Sequence, residues 1–367
     1  MKIFIRTDSS TIIGSGHLMR CLTLAEELRE ADVSVNFICR DLPGNLADIA
    51  LDRCFHVHYL PRSDQSADDH LEGYARWLGV SWQIDAEQTR NILDTQDCVD
   101  WLIVDHYALD VNWEKSVKDC VKKIMVIDDL ANRYHDCDIL LDQNLTANYQ
   151  SRYDDLVPVY CRKLLGPRYA LLRSEFHQAR PEARVRDKIQ RILVFFGGVD
   201  PSNETAKAIK AIASLNKTDI ITDVVVGKSN QRKEEIRALC SQYSNFNYHC
   251  QVDNMAELML KADLAVGAGG ATTWERCYLG LPAINIVIAK NQEEVSVALN
   301  EKGIINNLGC FSEVTVEMIS SCINSFINDP NRLSAMSLKA LELFAVRESF
   351  SFYSLFFSQC KNKRGGF

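Results

Sequence analysis

The chain lacks any run near the roughly 20 consecutive apolar residues that span a bilayer, and Met1-Lys2 leads into a short Ile3-Phe4-Ile5 with no cleavage-site pattern behind it. A transmembrane span and a signal peptide are therefore not expected, and the reading is a cytoplasmic protein with no membrane partner. A basic excess is missing too: the net charge is −8, which disfavours binding along a phosphate backbone, so nucleic acid is not an expected partner. The 13 cysteines contain no close CxxC pair, so they read as small core residues in a reducing compartment. Short-period repeats and low-complexity tracts are likewise absent.

What is present is an ordinary globular composition, 47% hydrophobic and 25% charged over 367 residues, long enough for two domains. Short β-rich runs alternate with helical patterns: KIFIRTD, HLMRCLTLAEELRE, VSVNFICR, LADIALDRC, HVHYL, then WLIVDHY, NWEKSVKDC, KIMVIDDL and ILLDQN. Such alternation predicts βαβ units around a parallel sheet. The span from about Pro61 to Glu87 is polar and irregular and reads as a surface excursion. Between Leu171 and Lys188 the strand pattern stops and arginines gather, a candidate linker; a second alternating series begins at IQRILVFFGG. The expected organisation is α/β: an N-terminal Rossmann-like domain over 1–175, a second over 189–345, a terminal helix or tail over 346–367, and a cleft between the two doubly wound halves.

Four stretches at strand ends carry chemistry. In TIIGSGHLMR, Gly14, Ser15 and Gly16 form a turn that enters a helix, where unpaired N–H groups and the positive end of the dipole attract an anion. The dinucleotide fingerprint G-x-G-x-x-G fails because Met19 stands at the third glycine, so no nicotinamide cofactor is expected. His17 falls in the first helical turn, where the dipole disfavours imidazolium and leaves a neutral ring able to act as a base; Arg20, one turn on, could meet the same anion. In DLAVGAGGATTWERCYLGLP, Gly267, Gly269 and Gly270 make a second phosphate-type turn, followed by Ala271 and the hydroxyls of Thr272 and Thr273. Glu275, one helical turn further in, is a carboxylate too close to a phosphate to help bind it but well placed to accept from two adjacent ribose hydroxyls. FFGGVDPSN opens the second half with Gly197-Gly198 and Asp200, and AINIVIAKNQ places the amides of Asn291 and Gln292 at a helix start, where either could also be a cap.

Asp105, His106 and Tyr107 close one strand, and Asp128-Asp129 and Asp142-Gln143-Asn144 close the next two. The histidines lack ligand spacing, so no metal site is expected; these acids and amides read as sugar-recognising groups or as groups that orient His17.

RTDSSTIIGSGHLMR, GPRYALLRSEF, FFGGVDPSN and GAGGATTWERCYLGLPAINIVIAKNQ, in that order, resemble the UDP-sugar hydrolase family of pseudaminic acid biosynthesis, which acts on UDP-2,4-diacetamido-2,4,6-trideoxy-β-L-altropyranose. That family is similar to the lipid II N-acetylglucosaminyltransferase in having the GT-B fold. A monomer is expected, since nothing in the sequence demands a partner subunit, and the resemblance implies an enzyme that uses no cofactor or metal and takes a UDP-sugar as its small-molecule partner. It implies release of UDP by water attack at the anomeric carbon, with inversion and with His17 as general base. It maps the UDP site onto Gly269, Gly270, Ala271, Thr272, Thr273 and Glu275, and a sugar-side amide onto Asn291, with Gln292 beside it. Arg173 in GPRYALLRSEF and Gly198 in FFGGVDPSN are counted with the substrate contacts, as are Gly14, Ser15, Gly16 and Arg20. A GT-B glycosyltransferase with a UDP-sugar donor is the alternative that the same residues allow.

Overall fold

A computed structural model describes residues 1–29, 31, 33–62, 72–345 and 350–361, without the side chains of 358–361. It divides into two compact units, one holding residues 1–144 and 148–171 with the C-terminal helix, the other 145–147 and 172–345.

The first unit runs β1 (Lys2–Thr7), α1 (Gly16–Arg29), β2 (Ser34–Arg40), α2 (Asp48–Asp52), β3 (His56–Leu60), α3 (Trp82–Leu93), β4 (Trp101–Asp105), α4 (Val111–Val117), β5 (Lys123–Ile127), β6 (Ile139–Asp142) and β7 (Arg162–Leu165). The strands form one parallel sheet in the order β3-β2-β1-β4-β5-β6-β7. Both faces are covered, as parallel sheets require: Ile3 and Ile5 pack with Leu18, Leu22 and Trp101 on one side, while Phe4 packs with Leu102, Trp113 and Val126 on the other. Chain progress reverses between β1 and β4, the switch point at which ligands bind in such sheets. The register sets Thr7 opposite Asp105, so the loop entering α1 leaves the sheet beside the end of β4.

The second unit repeats this plan. After α5 (Ser174–Ala179) come β8 (Arg191–Phe195), α6 (Glu204–Ser214), β9 (Ile221–Val226), α7 (Lys233–Cys240), β10 (Phe246–Cys250), α8 (Met255–Lys261), β11 (Leu264–Ala268), α9 (Ala271–Tyr278), β12 (Ala283–Val287), α10 (Glu293–Glu301), β13 (Asn306–Cys310), α11 (Val316–Ile327) and α12 (Pro330–Glu342). Its parallel order is β10-β9-β8-β11-β12-β13, with the switch between β8 and β11, where Gly267 pairs with Phe195. α13 (Phe352–Lys361) returns to the first unit and adds Phe352, Leu355 and Phe356 to its core, Phe356 meeting Trp101 edge-on at 4.7 Å.

Some expectations change. The polar excursion holds a 3-10 turn, Gly73–Leu78, and the start of α3, whose first turn is capped by Ser81 accepting from Ile84 N; 63–71 fall outside the described residues. The arginine-rich stretch read as a linker belongs to the second unit from Leu172 on. There the buried Arg186 donates to the carbonyls of Met259, Ala262 and Leu279, tying off helix ends that periodicity cannot reveal. The tail is split: 346–349 and 362–367 lie outside the described residues. Cys54, Cys98 and Cys250 are exposed rather than core, while Cys21, Cys39, Cys137, Cys161, Cys240 and Cys277 are buried. No described helix is long and apolar enough to cross a membrane.

Candidate active site

In the first unit the loop after β1 is shaped by its own side chains. Ser10 Oγ accepts from Ile12 N and Ile13 N (3.1 and 3.0 Å), and Gly14, at φ +77°, donates to Ser10 O (2.9 Å). A side chain other than glycine is strained at that φ. The chain then enters α1 at Gly16, half-buried Ser15 preceding it and exposed Gly16 having open space where a Cβ would sit. Below the loop, Arg6 holds Asp8 and Asp85 at 2.6 Å each, and Arg40 joins Asp85 at 2.6 Å. This closed buried network fixes the end of β1.

His17, the second residue of α1, is buried, and its Nδ1 lies 2.6 Å from Asp105 Oδ1. The β1–β4 register is what brings the two together. Arg20 reaches the same carboxylate through Nε (2.5 Å) and Nη2 (2.6 Å) and donates to Asp129 through Nη1 (2.9 Å). Burial by itself would raise the Asp105 carboxyl, but Arg20 and then His17 outweigh it and hold it well below the usual carboxylate range. An ionised carboxylate only accepts hydrogen bonds, so His17 carries a proton on Nδ1 and, in the neutral ring, presents Nε2 as an acceptor. The expectation for Arg20 changes accordingly: its guanidinium is turned inward on two carboxylates and is a brace for His17 rather than a group awaiting an anion. Asp105, read as one of several acids that could orient His17, is the one in contact with it.

A second feature escapes the sequence reading. Tyr107 stands edge-on to His17 at 4.5 Å and stacks on Trp77 at 5.3 Å, Trp77 lies 5.8 Å from His17, and Tyr74 touches both Tyr107 and Trp77. Tyr107 Oη donates to Asp129, which also serves Arg20. Tyr74 and Trp77, both half-buried, come from the 3-10 turn in the supposed excursion; only the density of aromatics in EGYARWLGVSW could have hinted at them.

The remaining strand-end acids have partners. Asp128 pairs with Arg133 (2.7 Å) and accepts from Tyr153 Oη (2.8 Å), and Asp142 accepts from Arg152 (3.2 Å) and Asn144 N (2.9 Å). Burial, with Asp129 nearby, outweighs the opposing Arg152 and the Asn144 N–H and pushes the Asp142 carboxyl up to about 8. Gln143 Oε1 accepts from Leu171 N. Among the described residues no three His, Cys, Asp or Glu side chains converge as a ligand set for a metal ion.

In the second unit the loop after β11 is forced by close approach. A Cβ on Gly267 would lie 2.3 Å from Phe195 O, and Gly270 adopts φ +120° at the entry to α9. Exposed Ala271 and half-buried Thr272 begin the helix, and Thr273 is buried with its Oγ1 accepting from Arg276 Nη2 at 3.1 Å. Gln292 bends over the loop: its Cβ would be 3.1 Å from a Cβ on Gly269, while its Oε1 accepts from Ile288 N (3.1 Å). Asn291 is exposed.

Glu275 is buried. Arg173 Nε donates to its Oε1 at 2.8 Å, and its Oε2 has no partner among the described residues. Arg173, whose Nη1 also meets Glu175 at 2.7 Å, thus orients the glutamate and leaves one buried acceptor open. The FFGGVDPSN loop behaves differently. Asp200 accepts from Glu204 N (3.0 Å) and Thr205 N (2.9 Å), so a carboxylate already caps α6, and Gly198 is the point against which Gly227 packs, 2.3 Å from where a Cβ of Gly227 would be. That close approach explains the glycine at 227, and Asp200 already supplies negative charge at the start of α6.

Residues 192–348 match the glycosyltransferase family 28 C-terminal domain. UDP-2,4-diacetamido-2,4,6-trideoxy-beta-L-altropyranose hydrolase of Campylobacter jejuni is 30% identical over 304 residues, covering 83% of this chain and 97% of that protein. An uncharacterized protein of Methanocaldococcus jannaschii is 28% identical over 306 residues, 80% of this chain but 57% of its own length, so the chain spans little more than half of that relative. Among solved structures, MurG of Acinetobacter baumannii superposes with a TM-score of 0.60 at 14% identity over 93% of this chain and 94% of its own. With two Rossmann-like parallel-sheet units and that neighbour, the fold is GT-B.

Proposed function

The chain belongs to the family of the UDP-2,4-diacetamido-2,4,6-trideoxy-β-L-altropyranose hydrolase, and from that membership we propose that it hydrolyses a UDP-linked diacetamido-trideoxy sugar in pseudaminic acid biosynthesis. The observation that carries this reading is the Asp105–His17 pair, which turns Nε2 into an acceptor with a defined orientation. Water is a poor nucleophile, and a positioned base contributes about 10²–10⁴-fold to its attack. In the proposed step the water oxygen bonds to the anomeric carbon and His17 Nε2 takes its proton. The bond from that carbon to the diphosphate oxygen breaks with its electron pair on UDP, and the sugar leaves with inverted configuration.

The second unit is assigned the nucleotide. The open Glu275 Oε2 suits a ribose hydroxyl, and the N–H groups at the start of α9 suit the diphosphate. An anionic leaving group held by such donors needs no proton and, in this reading, no metal ion.

A second reading, a GT-B glycosyltransferase with a sugar hydroxyl in place of water, is favoured by the match of residues 192–348 to a glycosyltransferase domain. Incubating the protein with the UDP-sugar and EDTA, without an acceptor, decides between them. The hydrolase reading expects UDP release and, by NMR, a free sugar of inverted anomeric configuration. UDP release that appears only with an added sugar acceptor would establish the transferase, and none under either condition would sink both.

A further inference from the structure

Arg276 has an unusual setting. It lies in α9, and because helical side chains lean toward the N-terminus its guanidinium reaches back under the Gly269–Thr273 loop, donating through Nη2 to Ala268 O (2.8 Å) and Thr273 Oγ1 (3.1 Å). It is 2% exposed. No carboxylate lies within ion-pair distance of it among the described residues: neighbouring Glu275 is turned to Arg173, and Arg276 Nε has no hydrogen-bond partner. Gly267 makes the room, since a Cβ there would be 2.8 Å from Arg276 Nη1.

Three unfavourable terms therefore coincide. A buried cation has no ion-pair partner, the charge of neighbouring Glu275 acting on it only from beyond that distance, one of its donors is orphaned, and it stands near the positive end of a helix dipole, which favours anions. Burial pushes its pKa down to about 10, which still leaves it charged at neutral pH. The first and the third are relieved by one event, the arrival of negative charge at the loop.

We propose that Arg276 is a positioning residue for the diphosphate, a fixed counter-charge beneath the loop that acts on the anion through Thr273 and the backbone rather than by touching it. The proposal rests on the reading of this unit as nucleotide-binding and deepens it: the loop selects a nucleoside diphosphate over an uncharged nucleoside. Thr273 Oγ1, accepting from Arg276, is left to donate its own proton outward to a phosphate oxygen.

Calorimetry and NMR titration of UDP and uridine against wild type, Arg276→Met and Arg276→Lys test this. The Met variant should lose on the order of 10-fold or more in UDP affinity while its uridine affinity changes less than twofold, and the Lys variant, which keeps the charge, should stay within a few-fold of wild type for both. Parallel losses for UDP and uridine would make Arg276 merely structural and overturn the proposal, as would equal UDP losses in the Met and Lys variants. Should the Met variant fail to fold, the Arg276 Nε–H resonance of the wild-type protein decides: it should shift with UDP and not with uridine, and the reverse or no shift with UDP refutes the assignment. A wild-type protein that binds neither ligand overturns the nucleotide reading itself, an outcome distinct from selective retention of UDP by the Met variant.

Discussion

Asp105→Asn isolates the orientation of the base with a change of one atom. Asp105 Oδ1 receives both His17 Nδ1 and Arg20 Nη2, each at 2.6 Å, and Oδ2 receives Arg20 Nε at 2.5 Å. An amide nitrogen in the first position meets two donors. It can be accommodated against His17 only if the ring moves its proton to Nε2, which abolishes the acceptor that would face water. In the second position the amide meets Arg20 Nε donor to donor. Either arrangement loses one charge-assisted hydrogen bond, about 1.5–3 kcal/mol of stability, but only the first silences the base. Arg20 keeps one bond to the Asn oxygen in both arrangements, but the second also turns the amide nitrogen on Cys21 Sγ, which donates to Oδ2 at 3.4 Å, so the silenced arrangement should dominate. The turnover number should then fall by roughly 10³–10⁴, about 4–5.5 kcal/mol of barrier. UDP release under single-turnover conditions gives the rate, UDP titration should show an unchanged dissociation constant, and a melting curve should show a folded protein. A folded variant turning over within threefold of wild type would refute the assignment of Asp105 and, with it, of the His17 tautomer.

Glu275→Gln keeps the volume but replaces the open Oε2 with an amide facing the same space; UDP affinity should drop about tenfold with little effect on the rate at saturation, and unchanged affinity would remove the ribose assignment. Trp77→Ala takes away part of the wall beside His17 and should raise KM for the sugar substrate by about 5- to 30-fold, leaving the UDP dissociation constant alone; equal weakening of UDP would show that the ring serves the fold and not the sugar. For Asp142 the sign follows from its raised pKa. Its contribution to stability is complete below the unfolded-state value near 3.9 and is lost as pH rises through about 8. Asp142→Asn should accordingly raise the melting temperature at pH 8.5 by roughly 2–4 °C and leave it unchanged at pH 4.5, and a pH-independent shift would count against this account.

The parallel alternation was legible because each element carries its own period: Ile3-Phe4-Ile5 and Leu264-Ala265-Val266 are buried on both faces, as continuous apolar strands should be. The loop glycines were legible too, since Gly14 and Gly270 have positive φ. What sequence order hides is pairing across the sheet. Asp105 lies 88 positions from His17 and becomes its partner only through the β1–β4 register, and Arg20 turns inward for the same reason. Trp77 and Tyr74 were lost among polar neighbours because a single 3-10 turn has no period long enough to detect. The FFGGVDPSN loop shows the converse: a glycine pair followed by an acid before a helix describes a capped turn as well as an open one, and the Asp200 cap on α6 is a three-dimensional fact.

The placement of α13 has a consequence for synthesis. Trp101 packs against Phe356, and Leu355 and Phe352 close the same side of the first sheet. On the ribosome the first unit emerges early with that side uncovered, and its completion waits until the whole second unit has been made. The first half thus spends most of translation as an apolar surface in search of its last helix, and a chain cut after residue 345 would keep every strand of that sheet yet never finish it.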